Sequence, residues 1–121
     1  MSNPSKQKGT SFETLIRDYL VSKGFPKAHR TALSGGHDTG DINGIVNLHT
    51  DAEVAVQCKN QKKFNLSGWL DATVEQAERL DNAVPLLVVK RPGKGAHSLD
   101  DTYAVMRLCD VVSLLKEANY V

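Results

Sequence analysis

The sequence predicts an α/β fold with a mixed central sheet flanked by helices, and three observations carry that expectation. Phe12, Leu15, Ile16, Tyr19 and Leu20 recur at i, i+3, i+4, i+7 and i+8, one buried stripe of a helix. Val54, Val56 and Cys58 alternate with Ala55, Gln57 and Lys59, the period of a strand. Pro85-Leu86-Leu87-Val88-Val89 is a continuous apolar run stopped by Lys90-Arg91-Pro92-Gly93, which suits an interior strand covered on both faces.

Taken in order, the first helix has Thr10 as N-cap and Gly24 as the residue just past its C-terminus. Residues 25–34 are extended and broken at Pro26, and Ser34-Gly35-Gly36 opens a loop running to Gly40. Two strands follow at 41–48 and 53–59, joined by a hairpin turn over 49–52. A second helix fits 67–82, with Ser67 as cap and Leu70, Val74, Ala77 and Leu80 on one face. Beyond the apolar strand, 102–107 is a further strand candidate, and 110–119 forms a closing helix capped by Asp110. The order α-β-β-β-α-β-(β)-α indicates a mixed sheet with helices packed against it.

A chain of 121 residues and 13.2 kDa has room for one core. Residues 1–9 read as a flexible basic arm and 10–121 as a single domain. With 40% apolar and 24% charged residues, the composition is that of a globular protein. No apolar run nears the roughly 20 residues of a membrane span, and the polar N-terminus lacks the apolar stretch of a signal peptide. Cys58 and Cys109 make no disulfide framework, so a soluble cytoplasmic protein is expected.

The net charge of +1 conceals an uneven distribution. Residues 1–30 carry six Lys/Arg against two acids, whereas 31–56 carry four acids (Asp38, Asp41, Asp51, Glu53) and no Lys or Arg. Basic groups return at Lys59, Lys62 and Lys63, then at Lys90, Arg91 and Lys94. An acidic centre between basic segments suits a metal-dependent enzyme acting on a polyanion, with carboxylates on the cation and Lys/Arg on the phosphates. A mixed solvated surface would give the same charges.

The stretch Gly40-Asp41-Ile42-Asn43-Gly44-Ile45 and the strand Val54–Lys59 hold the most chemistry. Paired about the 49–52 turn, opposed residues would have numbers summing to roughly 101, which puts Asp41 and Lys59 at the same open end. Gln57 and Lys59 would share a face while Val54, Val56 and Cys58 turn into the core. A carboxylate, an amide and an ammonium are thus expected to converge. The Asp and Gln oxygens are hard ligands suited to Mg²⁺, a backbone carbonyl near Cys58 can add a third, and Lys59 can activate water or stabilise a phosphorane.

Glu13 on the first helix, Asp41 before one strand and Gln57-x-Lys59 on the next resemble the PD-(D/E)XK nuclease core. The resemblance spans about residues 9–91 and implies a restriction-endonuclease-like αβββαβ core. Small Holliday-junction resolvases are similar, with Arg30, Ser34-Gly35, Asp41-Ile42 and Gln57-Cys58-Lys59 standing in the places of their motifs. Two departures matter: Gly40 precedes Asp41 where the family has Pro, and Gln57 replaces the acid. The Asp then Gln-x-Lys pattern is similar to Mrr-type restriction endonucleases, and the missing charge calls for a compensating carboxylate, Glu13 first and Glu75 second.

The resemblance implies hydrolysis of DNA phosphodiesters with Mg²⁺ or Mn²⁺. Catalytic candidates are Glu13, Asp41, Gln57, Lys59 and Ser34; metal candidates are Asp41, Gln57, Glu13 and Cys58. It further implies a four-way junction or other branched duplex as substrate, a homodimer for paired incisions, and service to a virus or mobile element. The small size leaves no space for a sequence-recognition domain. An Mrr-like nuclease and an inactive DNA-binding module of the same fold are the alternatives.

Each residue also has a plainer reading. Thr10-Ser11-Phe12-Glu13 is a capping box, Asp41 can end a Gly-rich turn, Lys59 can be a solvated strand-end lysine and Ser34 can shape its turn. Trp69 reads as a core or interface residue rather than a stacking platform. Lys6, Lys8, Arg30, Lys62, Lys63, Arg91 and Lys94 are candidates for DNA phosphates. Aromatics make up only 6% of the chain, which favours duplex or junction phosphates over single-strand stacking. Calcium-loop, P-loop, His-Glu-x-x-His and Gly-x-Ser-x-Gly patterns are absent.

Overall fold

A computed structural model describes residues 4–32, 39–81 and 83–121. Its order is α1 (Pro4–Ser22), β1 (His29–Arg30), β2 (Ile42–Val46), β3 (Glu53–Lys59), α2 (Leu66–Glu78), β4 (Val84–Val89), β5 (Tyr103–Val105) and α3 (Leu108–Glu117). A 3₁₀ segment, Ala96–Asp101, precedes β5. The strands form one sheet in the order β1-β2-β3-β4-β5. Only β3 and β4 are parallel, joined by α2; the other pairs are antiparallel. This is the expected mixed sheet, and its α-β-β-β-α-β core is restriction-endonuclease-like.

Helix α1 starts at Pro4, so residues 4–9 extend the helix and are not an arm. Proline suits the first helical turn, where its missing N–H has no partner to lose, and Lys6-Gln7-Lys8 favour the helix. The other end stops as expected around Gly24: Phe25 N–H donates to Leu20 O at 3.1 Å and Gly24 N–H to Val21 O at 3.2 Å, the two bonds of a Schellman cap. Helix α2 is capped by Asn65, whose Oδ1 accepts from Gly68 N–H at 3.1 Å, rather than by Ser67. Helix α3 begins at Leu108, and Asp110 lies in its first turn, paired with Arg107 at 2.9 Å.

The β2–β3 register differs from the expected one. Ile42 faces Val56, and Val46 faces Glu53, so partners sum to 98 or 99. A longer loop causes the shift: Asn47 N–H donates to Ala52 O at 2.7 Å, while Asn47 Oδ1 accepts from the N–H groups of His49 and Thr50. An irregularity between Ile42 and Ile45 shifts it by one more, at Gly44. Gly44 has φ +95°, and a Cβ there would stand 2.0 Å from Lys27 O, so only glycine lets the β1 approach come this close.

The core has two faces. Phe12 and Ile16 of α1 pack with Ala28, Ile42, Val56, Cys58 and Val88 on one face of the sheet. On the other, α2 covers β3 and β4, and Thr73, Gln76 and Ala77 are its buried residues. Strand β4 is interior, as its apolar run predicted, with Leu87 and Val89 fully buried. Because β3 and β4 are parallel and in step from Val54↔Val84 to Lys59↔Val89, the basic segments after each strand leave from the same edge of the sheet. Helix α3 buries none of its residues, and Leu108, Val112 and Leu115 stay exposed at helical spacing.

Candidate active site

The site forms where β2 and β3 part. Asp41 N–H donates to Val56 O at 2.7 Å, and one step further the Asp41 side chain takes over the ladder, with Oδ2 accepting from Cys58 N–H at 2.8 Å. A carboxylate thereby occupies the fork that a backbone carbonyl would otherwise fill. Gly40 sets the approach: it is buried with φ +107°, and a Cβ would lie 3.0 Å from Val56 O. Strand geometry points the Cys58 carbonyl to the same side as its N–H, into the fork.

On the α1 side of this fork lies a charged pair. Glu13 Oε2 accepts from Arg30 Nη2 at 3.1 Å and Nε at 3.3 Å, and Arg30 Nη1 reaches Thr14 Oγ1 at 3.4 Å. Glu13 is therefore no capping-box residue, because Thr10 lies inside the longer helix. The Cys58 thiol senses the cluster: burial pushes its pKa well above the ordinary 9.0, the Asp41 and Glu13 carboxylates push the same way, and Arg30 opposes them. Asp41, Glu13, Arg30 and Cys58 thus share one neighbourhood.

Gln57 and Lys59 are on the other face of β3, toward α2. Gln57 is 9% exposed, and its Oε1 is buried without a hydrogen-bond partner among the described residues. Lys59 Nζ stands 6.0 Å from the centre of the Trp69 ring. The expected convergence is thus corrected in one respect. The Asp41 carboxylate lies in the plane of the sheet, on a β3 N–H, rather than on the Gln57–Lys59 face, because strand N–H groups point sideways while side chains alternate up and down.

Ser34, with the rest of 33–38, lies outside the described residues. The flanks of that segment are held by Asn43, a residue the sequence reading passed over. Asn43 is 6% exposed; its Oδ1 accepts from Thr31 and Thr39 hydroxyls, and its Nδ2 donates to Thr39 O at 3.1 Å. Its signal was there: an amide inside a strand must find buried partners. Glu75 is exposed on α2.

Among the phosphate candidates, Lys6 and Lys8 belong to the N-terminal turns of α1, so they sit on a helix. Lys62 and Lys63 are exposed just after β3. Arg91 lies over the Tyr103 ring with Cζ 5.5 Å from its centre, and Lys94 pairs with Asp101 at 3.3 Å.

The donor atoms suit a hard divalent cation. Among the described residues no three His, Cys, Asp or Glu side chains form a metal-holding group, so such an ion would draw on other oxygens. Asp41 supplies a carboxylate, Gln57 an amide oxygen and Cys58 a backbone carbonyl, all ligand types of Mg²⁺ or Mn²⁺. A buried acceptor left unbonded costs about 1–3 kcal/mol, a cost that a coordinated cation removes. The residues fit the group.

The five-stranded mixed sheet with this element order is the restriction-endonuclease-like fold of the PD-(D/E)XK nuclease superfamily. Over residues 4–120 the chain matches the family described as "Phage putative PDDEXK endonuclease", and it belongs to that family. Nucleases of this kind act on DNA and generally use divalent metals. No curated protein and no solved structure matches the chain. No helix among the described residues is long and apolar enough to cross a membrane.

Proposed function

We propose that the protein is a Mg²⁺- or Mn²⁺-dependent endonuclease that cuts branched DNA, the four-way junction above all, as a homodimer in the cytoplasm of an infected cell. The observation that carries the catalytic part is the buried, unbonded Gln57 Oε1 one residue from the Cys58 amide that holds Asp41. An acceptor kept so is costly unless it has a ligand to take.

In this reading Asp41, Gln57 Oε1 and the Cys58 carbonyl would hold the ion, and Glu13, ion-paired to Arg30 at 3.1 Å, stands on the α1 side of the fork. When bound, the ion neutralises phosphate charge and lowers the pKa of water. Lys59 carries its ammonium to the phosphate oxygens, where negative charge grows as the water oxygen bonds to phosphorus and the sugar oxygen leaves. Lys62 and Lys63 beside it, and Arg91 after β4, hold flanking phosphates. These contacts position DNA without reading its sequence, which suits a substrate recognised by shape. Paired cuts need two sites, and the exposed Leu108, Val112 and Leu115 of α3 offer a surface for a second copy.

The test is a labelled four-way junction and a matching linear duplex, each with and without Mg²⁺ or Mn²⁺, using the wild type and Asp41→Asn. Paired metal-dependent nicks confined to the junction and lost in the variant are expected. Equal cutting of the duplex would instead assign an Mrr-like activity, which the Gln-x-Lys pattern favours as the second reading. Binding without cleavage would overturn the enzymatic assignment.

A further inference from the structure

We infer that the cleft between Phe64 and Trp69, beside Lys59, receives a DNA base that has left its stack, so that the nuclease acts next to an unpaired nucleotide. The inference rests on the DNA-cutting reading above and names its substrate class more closely.

Three of the seven aromatic residues meet at this edge of the sheet. Phe64 lies 5.9 Å from Trp69, centre to centre, with the rings tilted by 56°. Tyr103 meets Phe64 edge-on at 6.2 Å. Such a cluster would be ordinary in a core, but Phe64 and Trp69 are only half-buried and Tyr103 is exposed. Phe64 and Trp69 border an open cleft of about 530 Å³ lined also by Gln61, Lys63 and Asn65. That volume falls within the roughly 300–1,000 Å³ of small-molecule sites.

The lining has the parts that a base needs. Aromatic rings offer faces to stack on, the Gln61 amide offers a donor and an acceptor to a base edge, and Lys63 offers a cation for the attached phosphate. The Lys59 ammonium, on the proposed catalytic strand, stands 6.0 Å from the Trp69 ring that lines this cleft. A base seated here therefore lies beside the phosphate to be cut. Paired bases have no free face to offer, and extruding one costs a few kcal/mol, least where the strand is already unpaired. Flaps and forks, which are branched DNA, provide such nucleotides. The low aromatic content of the chain as a whole hid this, because the aromatics that matter are gathered at one place.

Trp69 is the single tryptophan, so its emission reports on the cleft directly. In metal-free buffer with EDTA, the wild type is titrated with an oligothymidine strand and with a blunt hairpin duplex. The strand is expected to quench Trp69 emission saturably, and the duplex less than half as much. Phe64→Leu, which keeps apolar bulk, should weaken strand binding by about 5- to 100-fold, the worth of one stacked base. It should change duplex binding less than twofold, and Phe64→Tyr should restore the strand. Equal quenching by both ligands, no binding of the strand, or equal loss for both ligands in Phe64→Leu would overturn the inference. Quenching without any metal-dependent cleavage would sink the catalytic reading alone; metal-dependent cleavage without strand quenching would sink this one alone.

Discussion

At the scale of single residues, Gln57 is the informative side chain. Its Oε1 is buried and unbonded, so Gln57→Leu removes a desolvation cost while keeping volume. Urea melts are expected to show stability unchanged or raised by about 1 kcal/mol, with DNA cleavage lost. A drop in stability of similar size would mean that the amide is a structural group. The sequence displayed Asp41, Gln57, Lys59 and Glu13 through their order along the chain. It did not display which groups they touch. Glu13 completes a capping-box pattern in the sequence yet bonds Arg30, seventeen positions away, because the helix starts a turn and a half earlier than Thr10. Nor did Phe64 stand out, since a lone aromatic after two lysines carries no periodic signal.

At the scale of elements, the alternations and apolar runs marked α1, β2, β3, α2 and β4 with boundaries a few residues off, whereas the two-residue β1 and the 3₁₀ segment Ala96–Asp101 carry no periodic signal. Period 2 and period 3.6 are strong signals, whereas caps compete: Asn65 outdoes Ser67 because its carbonyl reaches Gly68 N–H. Register was not legible, for it depends on the Asn47–Ala52 loop and on the bulge at Gly44, and both are matters of backbone angle. Gly44→Ala should therefore be costly, with a strained φ and a Cβ 2.0 Å from Lys27 O. A loss of more than about 2 kcal/mol in urea melts is expected, as β1 is driven from β2. A loss below about 0.5 kcal/mol would show that the bulge relaxes freely.

At the scale of the whole molecule, the parallel β3–β4 pair sends both basic segments to one edge, beside the Asp41 fork and the Phe64–Trp69 cleft. The uneven charge along the chain foreshadowed this, but the sheet order is what turns two distant segments into one surface. Elsewhere, α3 is amphipathic yet leaves Leu108 77% exposed and Leu115 44% exposed. With a second copy seated on that stripe, sedimentation should give a dimer, and Leu115→Asp should yield a folded monomer. A wild type that stays monomeric at high micromolar concentration would remove the dimer from the proposal.

The measurement closest to the central claim is calorimetric titration of Mn²⁺ into the wild type and into Asp41→Asn, with melting temperatures taken on both. Asparagine can still accept from Cys58 N–H, so the fold is expected to survive. One Mn²⁺ per chain in the wild type, with affinity at least tenfold weaker in the variant at an unchanged melting temperature, is the predicted result. Equal Mn²⁺ binding by the two proteins would contradict the assignment of the β2–β3 fork as the metal site of this nuclease.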